Sequence, residues 1–381
     1  MNAFLMDPAT ATRWVVLGGL VLGLMIGAVG QGTRFCVRGA IADRVRTGSP
    51  GRLAGWLVAV VVALVAVQLL ILLGMFDARR TLAWSTRLPW FSYVAGGAIF
   101  GFGMMLGSGC PQRNLVKTGG GDLRALVTLT VTAIAALMTL RGLFAPWRVA
   151  GFDRFTLELA GPQDFGSLLG GSALVRAVVT AALAAAVLAW TWRHRREVKT
   201  TDWVGGLLVG LCVPAAFLLT GHFGHLAEHP ETLEPAWLGT QSRRPEGLSF
   251  IAPLAHALDL LTLWTDQNTV ATFGVTLAVG VLLGSFAWAR ARGAWKVESF
   301  TTPGQLIRHL CGGVLMGFGG VTALGCTLGN GVTGLAMLSA GAVLATAGIV
   351  GGALLAMRLR LNHEAADAPI DSPRKAPRMS S

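Results

Sequence analysis

The stretch GGAIFGFGMMLGSGCPQRN at residues 96–114 returns, much altered, as GGVLMGFGGVTALGCTLGN at residues 312–330. Aligned without gaps at an offset of 216, the two share eight of 19 residues: Gly96, Gly97, Gly101, Phe102, Gly103, Gly109, Cys110 and Asn114. Glycine-rich apolar segments resemble one another by composition alone. Composition does not, however, supply a Gly-Cys pair followed four residues on by Asn. We read the two stretches as an internal repeat. A shorter pair, GGLVLGL at 18–24 and GGLLVGL at 205–211, aligns at an offset of 187.

The surroundings of the repeat set its medium. Hydrophobic residues are 53% of the 381, there are 51 glycines, and charged residues are only 13%. A soluble fold of this size has too little interior to hide so much apolar surface. A cytosolic enzyme, a secreted disulfide scaffold and a disordered protein are excluded. Apolar runs long enough for a bilayer, about 17–25 residues, fall near 14–30, 53–74, 91–107, 125–140, 171–190, 203–220, 269–289, 309–324 and 333–357. The expected fold is an all-α integral membrane protein of about nine transmembrane helices, some of them broken or re-entrant at the centre. Irregular backbone survives at that depth only when buried in protein or lining a wet cavity.

Lysine and arginine set the orientation. With the N-terminus outside, the inner segments 31–52, 108–124, 191–202, 290–308 and 358–381 carry 21 basic residues and the outer ones nine. The net charge of +12 therefore reads as a marker of the cytoplasmic face and not as a nucleic-acid footprint. Five spans separate each repeat segment from its copy, and an odd number turns the copy over. The halves, 1–195 and 196–357, are then inverted and pseudo-symmetric, a transporter architecture whose pathway lies between them at the midplane. The segment 221–268, with Glu228, Glu231, Glu234, Glu246, Asp259 and Asp266 against Arg243 and Arg244, suits the outer face. The tail 358–381 reads as disordered and cytoplasmic. The N-terminus lacks a basic region and a cleavage site, so it reads as a mature span of an inner-membrane protein.

Three segments, all built alike, interrupt the apolar pattern. They are Gly32-Thr-Arg-Phe-Cys-Val-Arg-Gly-Ala40, Gly107-Ser-Gly-Cys-Pro-Gln-Arg-Asn114 and Leu324-Gly-Cys-Thr-Leu-Gly-Asn-Gly331. Glycine permits the tight turns, and an interrupted helix exposes N–H groups that hold anions. Arg34, Arg38 and Arg113 add positive charge. A thiol is polarizable and suits a sulfur-bearing solute. The candidate pathway is Cys36, Cys110 and Cys326 with Arg34, Arg38, Arg113, Asn114, Asn330, Gly109 and Gly325. Cys212 and Cys311, which is taken to open a helix, read as packing residues. No cofactor, metal or ATP site is read. The group His222, His225, Glu228 and His229 lacks a zinc-site order and reads as a hydrated loop. Gly119–Asp122 lacks the context of a nucleotide loop. Trp14, Trp56, Trp84, Trp90, Trp147, Trp203 and Trp264 read as interfacial anchors.

Arg34-Phe-Cys36 with Gly39-Ala40 and Asp43, Gly109-Cys110 with Asn114 and Gly119–Gly121, and Gly325-Cys326-Thr327 with Gly329, Gly331, Gly334 and Leu335 resemble the motifs of the YeeE/YedE sulfur-transport family, in the family's order, over about residues 14–357. The resemblance implies an hourglass-shaped membrane permease whose central cysteines pass thiosulfate, or a related sulfur anion, between thiols by S–H···S hydrogen bonds. It implies membrane lipid as surroundings and, from some relatives, a cytoplasmic TusA-like sulfur carrier as partner. Other relatives are assigned to selenium metabolism, so a selenium-compound transporter is the adjacent alternative. A membrane thiol redox or sulfur-transfer enzyme using Cys110 and Cys326 is the alternative from another class.

Overall fold

A computed structural model describes residues 7–230, 233–266 and 269–359. The expected disordered tail and Glu231 lie outside the described residues, apart from the tail's first two positions. The chain is an all-α integral membrane protein. Its helices are α1 (Pro8–Thr33), α2 (Val37–Arg46), α3 (Gly51–Leu72), α4 (Gly97–Leu106), α5 (Pro111–Gly119), α6 (Leu123–Arg141), α7 (Ala173–Arg193), α8 (Thr200–Phe217), α9 (Ile251–Thr262), α10 (Phe273–Ala291), α11 (Pro303–Thr322) and α12 (Ala340–Arg358). Wider π turns precede α4 at Ser92–Gly96, continue α8 at Leu218–Phe223 and follow the third break at Gly329–Gly334.

Among the described residues, eight helical segments are long and apolar enough to cross a membrane, one fewer than the sequence suggests. The one that falls short is α11. Gln305, Arg308 and His309 occupy its early turns and glycines thin its apolar content, although it is 20 residues long. Two short antiparallel ladders, Arg87–Leu88 with Leu157–Glu158 and His225–Leu226 with Ala236–Trp237, lie in the connecting segments.

Glycine sets the close packing, as expected where no hydrophobic force draws helices together in lipid. A Cβ on Gly23 would sit 2.3 Å from the Leu277 carbonyl oxygen and 2.8 Å from the Gly280 Cα, so α1 and α10 touch backbone to backbone. Gly19 meets Phe273, Gly23 meets Leu277 and Gly27 meets Val281, which makes the pair parallel. By the same reading α3 runs parallel to α8, α4 to α12 and α6 to α11, while α4 and α11 cross the centre antiparallel. One face gathers the segments 73–91 and 142–172 and the described residues of 224–247 and 263–272; we call it the vestibule face. The other gathers 47–50, 120–122, 194–199 and 292–302, and here Arg124 pairs with both Asp122 and Glu298.

Two sequence expectations need correction. Trp84 is no interfacial anchor: it is 5% exposed, its indole N–H donates to the Met337 carbonyl at 2.9 Å, and the Arg176 guanidinium lies 4.6 Å above its ring. Cys311 neither opens a helix nor packs inside the protein, since it lies mid-way along α11 and is exposed. In an all-apolar Cys-Gly-Gly-Val run, the sequence carries no signal of which side faces lipid.

Candidate functional site

Three chain breaks meet at the centre, and they share one construction. Helices α1, α4 and α11 lead into a left-handed residue: Arg34 with φ 57°, Ser108 with φ 55° and Leu324 with φ 55°. Each stands two residues before a cysteine. Glycine was expected at these turns, so the strained positions fall on other residues. A non-glycine residue there costs about 1–2 kcal/mol, and such strain persists where the surroundings over-determine it. Matched hydrogen bonds do so at two breaks: Gly109 N–H donates to Met104 O at 3.2 Å and Gly325 N–H to Gly320 O at 2.9 Å. These are the bonds that close a helix on a left-handed residue.

The cysteines then begin new turns. The carbonyls of Cys36, Cys110 and Cys326 accept the N–H of Ala40, Asn114 and Asn330 at 3.0, 2.8 and 2.8 Å. Each thiol faces the N–H three residues on, that of Gly39, Arg113 or Gly329, and Gly329 N–H donates to Cys326 Sγ at 3.3 Å. Cysteine thus stands where serine or aspartate ordinarily caps a helix, with its sulfur against backbone donors.

The Gly-Cys-x-x-x-Asn pattern is a latch. The Asn330 side-chain amide donates to the Ala323 carbonyl at 2.9 Å, and that of Asn114 donates to Gly109 and Gly107 carbonyls at 3.2 and 3.5 Å. Each asparagine folds back onto the end of the preceding helix. Gly109 and Gly325 leave room for it, since a Cβ on either would lie 2.7 or 2.9 Å from the asparagine amide.

The structure brings Cys36 and Cys110 together, thiol against thiol, with the Thr327 hydroxyl beside Cys110. Cys326, the neighbour of Thr327 in the chain, lies against the backbone N–H of Phe250. All three cysteines are at most 8% exposed. Arg113 and Arg38 lie within electrostatic reach of Cys36; Arg113 also donates to the Gly30 carbonyl at 3.0 Å, and Arg38 is buried. Arg34 is half-buried and serves as the left-handed cap of α1. Cys212 packs in the core of α8.

On the vestibule face a cavity of about 350 Å³ reaches this centre. Exposed Gln241 and Ser242 line its rim, Glu246, Ser249 and His256 its wall, and Gly329 and Asn330 its floor beside Cys326. Glu246 accepts from Ser242 through the backbone N–H at 2.8 Å and the hydroxyl at 2.6 Å. Burial pushes its carboxyl above the ordinary range, against the pull of those hydrogen bonds. On the opposite side of the cysteines, Cys36, Thr33, Phe35, Arg52, Thr201 and Asp202 enclose only about 10 Å³. That is room for about one water, and the ion pair of Arg52 with Asp43 at 3.1 Å lies beside it. Among the described residues the centre therefore has a wide cavity on the vestibule side and room for about one water on the other.

Sequence reasoning missed the wall and Thr327's position. Glu246, Ser249 and Phe250 lie in a loop without periodic pattern, and Thr327 lay in plain view inside the third motif. The histidine group of the loop serves locally: His222 Nδ1 lies 3.1 Å from Met75 O and the His225 ring tilts on Trp237. Among the described residues, no three His, Cys, Asp or Glu side chains converge as metal ligands.

A multi-pass helical protein whose broken helices gather buried thiols beyond the floor of a vestibule is a membrane transport protein in class. The comparison with known families makes the class particular. Residues 32–355 match the Sulphur transport family, and the chain belongs to it. It is similar to the thiosulfate transporter TsuA of Escherichia coli, 27% identical over 336 residues that cover 85% of this chain and 89% of that protein. It is also similar to the thiosulfate transporter TsuA of Spirochaeta thermophila, 24% identical over 339 residues covering 86% and 94%.

Proposed function

We propose that the chain is a permease that takes up thiosulfate, and acts by passing the ion without chemical change and not as an enzyme. One observation carries the reading: the line from the vestibule floor at Gly329 through Cys326 and Thr327 to the Cys110–Cys36 pair and the small pocket beyond. The names of the two TsuA relatives supply the ion. Thiosulfate has one polarizable terminal sulfur and three oxygens. Its sulfur accepts an S–H hydrogen bond from each thiol in turn, and no bond is made or broken. Arg38 and Arg113 offset its charge where the path is driest, since a dianion in a low-dielectric interior needs a compensating field.

The same reading places the vestibule face outside, the N-terminus with it and the C-terminus in the cytoplasm of an inner-membrane protein. The clustering of arginines on the other face supports it. Two inverted halves, residues 1–195 and 196–357, fit the packing. The parallel pair α1–α10 has its counterpart in α8–α3, and α4–α12 in α11–α6, when each helix is exchanged for its copy. A TusA-like carrier at the arginine-rich face would receive the ion from Cys36.

The test is sulfur-limited growth on thiosulfate of a transporter-deficient host carrying the chain, beside Cys110→Ala and Cys326→Ala. Growth with the wild type and loss with both variants is the expected result. Failure of membrane-inserted wild type to rescue growth removes thiosulfate as substrate. Normal growth of both variants removes the thiol pathway.

A further inference from the structure

Between Cys326 and the Cys36–Cys110 pair stands one side chain that the thiol pathway leaves without a task. Thr327 is 2% exposed, its hydroxyl lies beside the Cys110 sulfur, and its Oγ1 makes no hydrogen bond of good geometry. Other buried threonines of this chain behave differently. Thr128, Thr132, Thr139, Thr180, Thr220 and Thr322 each donate to the carbonyl four residues back, at 2.6 to 2.9 Å. A buried hydroxyl without a well-aligned partner is costly, and natural proteins rarely keep one without a use. Local structure does not ask for it either. In the repeat alignment Thr327 corresponds to Pro111, which follows Cys110 as the first residue of α5. Proline suits that position well and has neither hydroxyl nor N–H.

We infer that Thr327 is a specificity-determining residue of the pathway, whose hydroxyl donates to the oxygen end of a small sulfur oxyanion as the sulfur end passes from Cys326 to Cys110. The inference rests on the thiosulfate-permease reading and deepens it. Thiols alone treat any soft anion alike, including sulfide, which has no oxygen to offer. A hydroxyl in the gap between thiols recognises the two-ended ion and fixes which end leads. The geometry matches: the chain places the hydroxyl one residue from one thiol and against the next. Only hydrogen bonds are exchanged, so nothing is oxidised or reduced.

The experiment is uptake of labelled thiosulfate into proteoliposomes, with sulfide as competitor, for wild type, Thr327→Val, Thr327→Ser and Cys326→Ala. Thr327→Val keeps the shape and removes the hydroxyl. It is expected to raise KM about tenfold or more and to let sulfide compete better relative to thiosulfate. Thr327→Ser is expected to stay near wild type in both respects. Should the valine variant fail to insert, Thr327→Ala against Thr327→Ser makes the same comparison. The proposal is overturned if the hydroxyl-free variant matches wild type, or if serine falls as far as valine. Loss of uptake in Cys326→Ala beside either of those results leaves the permease pathway standing without this role for Thr327. Normal uptake in Cys326→Ala removes the pathway itself.

Discussion

At the scale of single residues, the two asparagine latches give a graded prediction. Asn330 holds the Ala323 carbonyl at 2.9 Å, whereas Asn114 reaches its carbonyls only at 3.2 and 3.5 Å. Removing a donor from a buried acceptor costs about 1–3 kcal/mol. Asn330→Ala is therefore expected to lower the melting temperature of detergent-solubilised protein more than Asn114→Ala does. Equal shifts, or the reverse order, would show that the latches are not what holds the breaks. Much at this scale was legible beforehand, because a Gly-Cys-x-x-x-Asn pattern found twice carries its own control. The left-handed positions were not legible. They fall on Arg34, Ser108 and Leu324, two of which are residue types with no turn signature, and helix-closing hydrogen bonds from Gly109 to Met104 and from Gly325 to Gly320 hold the second and third. The pairing of Cys36 with Cys110 was hidden for a related reason. Cys36 has no cysteine counterpart in the second half, where Phe250 precedes α9 as Cys36 precedes α2.

At the scale of elements, helix contacts and not hydropathy decide what each glycine does. Gly23 on α1 lies against the α10 backbone, and an added methyl there has only carbonyl oxygen and Cα atoms to displace. Overpacking of this kind costs about 1–3 kcal/mol. Gly351 on α12 has open space beside it. Gly23→Ala is expected to reduce the yield of folded, monodisperse protein in size-exclusion chromatography, and Gly351→Ala to leave it unchanged. A tolerant Gly23→Ala would mean that the α1–α10 contact is looser than described. The spans themselves were readable from length and apolarity in eight segments. The shortfall of α11 follows from the same glycines that let it cross α4 closely, since a helix of small residues loses apolar content while it gains packing. Sequence hydropathy measures the first property and is blind to the second.

At the scale of the whole molecule, the vestibule that the proposed pathway enters has a carboxylate on its wall. Glu246 lines the vestibule, with Ser242 donating to it and His256 on the same wall; His256 Nδ1 lies 3.4 Å from Asp259, which Arg141 pairs at 2.5 Å. Arg243 and Arg244, in the same loop, are exposed. Burial raises the Glu246 carboxyl, so the folded protein holds that proton to higher pH than the unfolded chain does. The sign follows by linkage: as pH rises from the ordinary carboxylate range through the raised value, the native state loses stability relative to the unfolded one. The charge that forms over the same interval repels an arriving dianion. Thiosulfate uptake is thus expected to fall as the pH on the vestibule side rises through the raised value, through a higher KM. Glu246→Gln keeps an acceptor for Ser242 without the charge, and should flatten both the uptake profile and this part of the stability profile. Uptake and thermal stability measured across that interval in reconstituted wild type and Glu246→Gln decide the matter. If the two proteins share one uptake profile, Glu246 does not set the charge seen by the ion, and His256 and Tyr93 are the remaining titratable side chains among the described residues that line the vestibule.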